Sequence, residues 1–207
     1  MAKIVKPGTQ TSPLRREQAA ATRARIVDAA VVVFAANGYE RARIEDIARE
    51  AGVAYPTVYK AFGSKPALLA AAVTHTMTGG DEGDIERQAW FREQLQAADA
   101  EHQLRLIARN ARRLYERAGR LLEVVRAAGP GDETIDALWR DINDDRVKRS
   151  QITAKRLATK AKLRTSIPTA AHTLWALTWP DLYVHGDLTP DQYERWLAEL
   201  LVAAVLE

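Results

Sequence analysis

The chain has 207 residues and a net charge of +3, and it contains no cysteine. The absence of cysteine excludes disulfides, thiolate metal sites and a cysteine nucleophile, and a chain of this length buries enough surface to fold without them. The longest apolar runs, such as Leu200–Leu206, are far shorter than the roughly 20 residues of a membrane-spanning helix. The first residues also lack the apolar run of a signal peptide, so we expect a cytoplasmic protein without a membrane partner.

Residues 1–13 are polar and contain proline and glycine, which predicts a disordered tail. From residue 14 helix formers dominate, and the apolar residues keep a helical phase up to Asn37, where an Asn-Gly pair ends the first helix. Residues 1–78 hold 11 basic and 6 acidic side chains, a net charge of +5, whereas the remainder carries −2. The positive charge is therefore concentrated where contact with phosphate groups would require it.

Residues 43–65 have the pattern of a helix-turn-helix, two short helices joined by a tight turn. Gly52 lies at the turn, where a helix ends on a residue with positive φ. Val58 and Phe62, four residues apart, can anchor the second helix. The apolar stripe of the first helix, spaced i, i+3, i+4 and i+7, consists of Ile44, Ile47, Ala48 and Ala51.

The outward side of the second helix carries side chains that can contact base edges or phosphates. Tyr55 and Thr57 lie in its first turn, the part that enters a major groove, and Pro56 between them has the φ of a first helical turn. Lys65 begins the next helix, where backbone amides favour an anion. The alternative is that Tyr55 and Tyr59 only pack between helices. The predicted DNA-binding residues are Arg43, Tyr55, Pro56, Thr57, Tyr59, Lys60 and Lys65.

In this part the chain resembles the tetracycline-repressor-like (TetR) family of bacterial transcriptional regulators. Two positions depart from the family pattern. Arg43 and Ala54 replace the hydroxyl residues that often cap the two helices, each at a cost of about 1 kcal/mol. The residues that carry the resemblance lie within about the first 75 and are Thr22–Ala30, Phe34, Gly38–Tyr39, Ile47–Ala48, Ala51–Val53, Thr57–Tyr59, Phe62 and Ser64–Lys65.

A glycine-rich acidic segment, Gly79–Asp84, predicts a domain boundary. Beyond it no strand alternation appears, and Pro180 is expected to kink the helix that contains it. The further predicted helices lie around 89–91 and over 102–118, 121–127, 134–163, 168–186 and 190–206. The predicted fold class is all-α. A three-helix helix-turn-helix DNA-binding domain (14–78) precedes a helical ligand-binding and dimerisation bundle (79–207).

Inward stripes on three helices of this bundle are typical of a pocket for a small, largely apolar ligand, although such aromatic residues are also ordinary core residues. Arg146 and Arg149 continue the stripe that contains Trp139. A guanidinium there must meet an acidic ligand or a buried carboxylate, or else extend to water. The predicted ligand-binding residues are Ile107, Ala111, Tyr115, Trp139, Arg146 and Trp175.

The last two helices carry apolar stripes of the kind that pair two protomers in a four-helix interface, and the family resemblance implies the same arrangement. The start of the last helix is marked by a capping box, Thr189–Gln192. The predicted dimer-interface residues are His172, Trp179, Tyr193, Trp196, Leu197, Leu200 and Ala204.

The sequence contains no Gly-x-Ser-x-Gly, no phosphate loop and no histidines at metal-ligand spacing, so we expect no enzyme, metal or cofactor. The predicted function is a DNA-binding transcriptional regulator, a repressor that binds a palindromic operator as a homodimer. A small effector releases it. The alternatives are a dimeric DNA-binding protein without a ligand, and a helical enzyme with an incidental helix-turn-helix.

Overall fold

The computed structural model describes residues 13–80 and 84–207, and every regular element in these ranges is helical. The predicted tail lies outside the described residues except for Pro13, where the first helix begins. Ten α-helices occur in the described ranges. They are α1 (Pro13–Arg41), α2 (Ile44–Glu50), α3 (Tyr55–Phe62), α4 (Lys65–Thr78), α5 (Ala89–Gln96), α6 (Ala100–Ala128), α7 (Glu133–Ala158), α8 (Ile167–Leu177), α9 (Pro180–Val184) and α10 (Pro190–Val205). The all-α class is confirmed.

The four N-terminal helices enclose an apolar core, and glycines shape the turns between them. Gly38 has φ 71° and breaks the helical path of α1, three residues before that helix ends. Gly52, with φ 63°, turns the chain from α2 to α3, as the sequence predicts. Ser64 caps α4 by accepting a hydrogen bond from the Ala67 amide. The side chains fully buried in this core include Ile26, Phe34, Ile47, Leu68 and Leu69.

The central helix of the molecule is α6, which contacts α1 and α4 on one side and α7, α9 and α10 on others. The sequence predicts two helices here, with a break near residue 119, and this prediction is wrong. Gly119 lies inside one continuous helix, where a Cβ atom would come 2.8 Å from Cγ2 of Val184. The glycine therefore permits the close approach of α9 and does not end α6.

Two further helix predictions need correction. The helix from residue 134 ends at Ala158 and not near 163, because Leu163 instead pairs with Leu206 in an isolated bridge. The helix predicted over 168–186 is two helices, and Pro180 begins the second. Its preceding residue, Trp179, is extended with ψ 135°, as the steric bulk of a following proline favours.

The last helix begins as the sequence predicts. The Thr189 side chain accepts a hydrogen bond from the Gln192 amide, and the Gln192 side chain accepts one from the Thr189 amide. None of the helices in the described ranges is long and apolar enough to cross a bilayer. The apolar core runs from α1 and α4 onto α6 without interruption, so the division of the chain at residue 79 stays a prediction.

Candidate DNA-binding surface and ligand cavity

The outward face of α3 is a polar and aromatic surface in solvent. Tyr55 and Tyr59 are 39% and 44% exposed, and their ring centroids are 5.0 Å apart. Lys60 is also exposed, whereas Thr57 is half-buried. Val58, on the opposite side of α3, is buried in the core of the N-terminal helices and fixes the orientation of this surface. The tyrosines contact each other and solvent, so they are not packed between helices.

The starts of the two short helices lack side-chain caps. Arg43 and Ala54 both have extended backbone, and neither makes a capping hydrogen bond. The Arg43 side chain extends into solvent beside the N-terminus of α2, with Nε 3.9 Å from a carboxylate oxygen of Glu45. Pro56 lies in the first turn of α3. Both helix starts therefore lack a side-chain cap, as the sequence predicts, and the Arg43 guanidinium lies beside the uncapped start of α2.

Lys65 is folded back onto α1. Its Nζ lies 4.3 Å from the ring centroid of Tyr39 and 3.4 Å from the backbone oxygen of Glu40, which accepts its hydrogen bond. Burial lowers the pKa of the Lys65 ammonium. In this conformation the ammonium faces the end of α1, although sequence reasoning placed it toward a phosphate at the N-terminus of α4.

Tyr39 links the N-terminal helices to α7, a contact that sequence reasoning missed. Its hydroxyl donates to Oδ2 of Asp132 at 3.2 Å. The other carboxylate oxygen of Asp132 caps α7 by accepting from the amides of Thr134 and Ile135. Burial and the Asp132 carboxylate raise the pKa of Tyr39 to about 12. No local pattern signals this pairing, since 93 residues separate its two partners.

A cavity of about 110 Å³ lies among α5, α6, α7 and α8. Most of its lining is apolar, and the lining also includes the polar side chains of Gln94, Asn110 and Asn143. The predicted ligand-binding residues that line it are Ile107, Ala111, Tyr115, Trp139 and Arg146. Trp175 does not line it. Its indole nitrogen donates to Asn143 Oδ1 at 3.1 Å, so Trp175 contacts a residue of the lining without lining the cavity itself.

Arg146 lines this cavity, is half-buried, and has its guanidinium held by the protein. Its Nη2 donates to the backbone oxygens of Trp175 and Thr178 at 3.0 and 2.9 Å. Its guanidinium carbon is 4.6 Å from the ring centroid of Trp179, and burial lowers its pKa. The Tyr115 hydroxyl donates to the same Thr178 oxygen. The alternative of a solvated guanidinium is therefore wrong for Arg146.

Arg149 differs from Arg146 in having an acidic partner. Its Nη1 lies 3.4 Å from a carboxylate oxygen of Glu86, and only 13% of its side chain is exposed. Asn143, one turn before Arg146 on α7, lines the cavity but was missed by sequence reasoning. The helical phase of Trp139 and Arg146 would have identified it, because these positions share one face.

Two of the predicted dimer-interface residues are instead buried within the protomer. Tyr193 and Leu197 are 1% and 0% exposed, because their side of α10 packs on α6. Trp179 packs edge-on against Trp139 and Trp175. Periodicity identified the apolar stripe of α10 but could not identify its partner. The predicted residues that remain at the surface, in whole or in part, are His172, Trp179, Trp196, Leu200 and Ala204.

Among the described residues no group of three or more histidine, aspartate or glutamate side chains is placed to hold a metal ion. The sites that the structure shows are thus a solvent-facing helix near basic side chains, and a small, mostly apolar cavity that contains a guanidinium.

Comparison with known proteins agrees with this geometry. Residues 26–72 match the family of bacterial regulatory proteins, tetR family. The fatty acid metabolism regulator protein of Bacillus subtilis (strain 168) is 36% identical over 80 residues, which cover 37% of this chain and 41% of that protein. The matched segment thus spans less than half of that relative.

Solved structures share the fold along nearly the whole chain. A putative TetR-family transcriptional regulator from Mesorhizobium loti MAFF303099 superimposes with a TM-score of 0.71 at 22% identity, covering 92% of this chain and 99% of that one. A putative transcriptional regulator from Saccharomonospora viridis, solved in complex with choline, has a TM-score of 0.69 at 20% identity and covers 91% and 99%. At these identities the likeness establishes the fold.

Proposed function

We propose that this chain, whose residues 26–72 match the tetR family of bacterial regulatory proteins, is a transcriptional repressor of that family. It binds a palindromic operator as a homodimer and leaves the operator when a small, largely apolar effector enters the cavity. The observation that carries the proposal is the solvent-facing side of α3, which is held on an apolar core and presents polar, aromatic and basic side chains.

The first turn of α3 is the part that reads DNA in this proposal. A recognition helix places its N-terminal residues against base edges in the major groove. Thr57 can offer its methyl group to a thymine and its hydroxyl to a base or phosphate. The exposed hydroxyls of Tyr55 and Tyr59 and the exposed ammonium of Lys60 can contact the backbone. The net charge of +5 on residues 1–78 supports attraction to phosphates.

The second protomer binds, in this proposal, on the outer faces of α8 and α10. His172 and Trp196 are exposed there, and Leu200 and Ala204 are partly exposed. A two-fold interface of this kind presents two copies of α3, and a dimer that reads successive major grooves needs them about 34–36 Å apart. An inverted repeat in the operator follows from that symmetry.

The cavity favours a regulator that responds to an effector over the alternative in which the C-terminal helices serve only dimerisation. A bundle that served only dimerisation would be packed throughout, whereas here a partly open cavity remains among the helices. The neighbour from Saccharomonospora viridis was solved with choline, which supports a small-molecule ligand for this fold. A ligand that favours another spacing of the two α3 helices would release DNA by shifting the population of dimer conformations.

The test is to select bound fragments from random duplex DNA with the purified full chain and to footprint the selected site. We expect an inverted repeat with half-sites one helical turn apart. The variant Thr57→Ala should lose discrimination at one base pair per half-site, by about 1–3 kcal/mol. A single asymmetric half-site, or protection of no site, would contradict the proposal.

A further inference from the structure

The cavity is lined by a half-buried cation that no acidic side chain of the described residues balances. Arg146 contacts two backbone oxygens, the Asn143 amide and the Tyr115 hydroxyl, and no ion pair in the described chain includes it. None of the described residues that line the cavity is aspartate or glutamate. Burial of a charge is costly unless an opposite charge accompanies it, so a ligand that brings a negative charge to Arg146 would offset that cost.

The end of α8 balances only part of this charge. Trp175 lies in the last turn of α8 and Thr178 follows it, so Arg146 interacts with the carbonyl end of the helix. A helix C-terminus carries about half of a negative elementary charge. The other arginine of the lining, Arg149, already has Glu86 as a partner. Arg146 is thus the group that can receive an anion.

The guanidinium also has hydrogen-bonding capacity left for a ligand. Both short contacts use Nη2, whereas Nη1 is 3.5 Å from Asn143 Oδ1, at the limit of a hydrogen bond. The Trp179 ring lies against the guanidinium, which holds its planar group in one orientation. A planar carboxylate matches a guanidinium fixed in this way.

The remainder of the cavity selects for a compact apolar body. Its walls include Trp90, Phe91, Ile107 and Trp139. Its volume of about 110 Å³ is close to that of an engineered cavity of about 150 Å³ that binds benzene. One ring or a short acyl chain is the size that such a space accepts. A cationic ligand would be repelled by the unbalanced guanidinium.

We propose that the effector is a compact, largely apolar monocarboxylate whose carboxylate group pairs with Arg146. This rests on the proposed function only in taking the cavity as the effector site, and the binding itself is independent of DNA.

The experiment measures binding of matched probes to the purified full chain by titration calorimetry. Benzoate and octanoate are compared with benzamide and octanamide, and octylammonium serves as the cationic probe. We expect at least one acid to bind about tenfold or more tightly than its amide, because a hydrogen-bonded ion pair is stronger than a neutral hydrogen bond. We expect octylammonium to bind more weakly than octanamide.

Two variants test whether Arg146 is responsible. Arg146→Met keeps an unbranched apolar stem but removes the guanidinium and its charge, and it should reduce acid binding to the level of the amide. Arg146→Lys should retain part of the preference. The matched control is Arg140→Met on the same helix, since Arg140 is exposed and pairs with Asp136. The control should bind the acid as the unmodified chain does.

Equal binding of acid and amide, failure of both acids to bind, or an acid preference that persists in Arg146→Met would overturn the inference. If Arg146→Met fails to fold, because Arg146 also holds the end of α8, the acid–amide comparison on the unmodified chain still decides. Failure here is distinct from failure of the proposed function. If the chain binds an operator but does not prefer acids, only the proposed carboxylate effector is contradicted. If it prefers acids but selects no operator, only the proposed repressor function is contradicted.

Discussion

Two lysines of the proposed DNA surface have different surroundings. Lys60, in the last turn of α3, is exposed. The ammonium of Lys65 lies over the Tyr39 ring, and burial lowers its pKa. Sequence reasoning assigned Lys60 to a base or phosphate because it lies on the outward side of the second helix, and Lys65 to a phosphate because it begins the next helix. The direction of a long side chain depends on what packs beside it, and here the end of α1 packs beside Lys65.

The salt dependence of DNA binding should distinguish Lys60 from a lysine remote from the proposed surface. Replacement of Lys60 by alanine should weaken binding to all duplexes alike. It should also lower the slope of log K against log salt concentration by about 0.9 per protomer, because one fewer counterion is released. Fluorescence anisotropy at several salt concentrations measures this slope. Lys155→Ala, exposed on α7, is the control. An unchanged slope for the Lys60 variant would exclude a phosphate contact there.

The ligand cavity shows how far a helical phase can predict a site. Five of the six predicted residues line one cavity, since the inward stripes of α6 and α7 face each other there. The exception, Trp175, donates to Asn143 at the edge of that cavity. The partner of Arg146 was unpredictable, because it consists of backbone oxygens that become available only where α8 ends.

At the level of elements, α6 owes its close packing to a residue that usually interrupts helices. Helix propensity alone predicts a break at Gly119, because glycine destabilises a helix by about 1 kcal/mol relative to alanine. The structure shows Val184 against the same position. Tertiary packing therefore overrides propensity at this point, and a single sequence cannot show which neighbour approaches a glycine.

Gly119→Ala should lower the free energy of unfolding although alanine favours helix. Overpacking costs about 1–3 kcal/mol, which outweighs a propensity gain of about 1 kcal/mol. Urea unfolding followed by circular dichroism measures the change. The double variant Gly119→Ala with Val184→Ala removes the opposing methyl groups and should recover part of the loss. A more stable Gly119→Ala variant would show that α9 moves away without cost.

The two faces of α10 should respond differently to truncation. Leu197→Ala should cost about 2–5 kcal/mol of protomer stability, because Leu197 is fully buried. Trp196→Ala with Leu200→Ala should instead weaken association, since Trp196 is 38% exposed and Leu200 is partly exposed. Sedimentation equilibrium and urea unfolding separate the two effects. A double variant that stays dimeric at the concentrations where the unmodified chain does would remove this face from the interface.

At the scale of the whole molecule, one helix connects both proposed sites. The N-terminal cap of α7, Asp132, accepts a hydrogen bond from Tyr39 of α1. Further along the same helix, Trp139 and Arg146 line the cavity. The Tyr39 ring in turn contacts the ammonium of Lys65, the first residue of α4. A shift of α7 caused by a ligand would therefore act directly on the helices that orient α3.

The sequence predicts the order and type of the helices better than it predicts the contacts between them. The helical periods and turn residues of α1 to α4 identify the helix-turn-helix, and Thr189–Gln192 identifies the start of α10. Contacts such as Tyr39 with Asp132 join positions that no local pattern relates. Coupling between sites depends on contacts of this second kind, which is why only the structure suggests a route for it.

Removal of the Tyr39 hydroxyl should weaken the communication between effector and operator without weakening either site. Tyr39→Phe keeps the ring beneath Lys65 but deletes the hydrogen bond to Asp132. We expect operator affinity and octanoate affinity, each measured alone, to stay within about twofold, since neither proposed site contains Tyr39. The factor by which octanoate lowers operator affinity should fall several-fold, because residues between two sites modulate coupling by about 0.5–2 kcal/mol. Anisotropy titrations of labelled operator at fixed octanoate concentrations give this factor directly. If it equals that of the unmodified chain, α7 does not carry the signal through Asp132, and the contacts of α6 with α1 and α4 become the route to test.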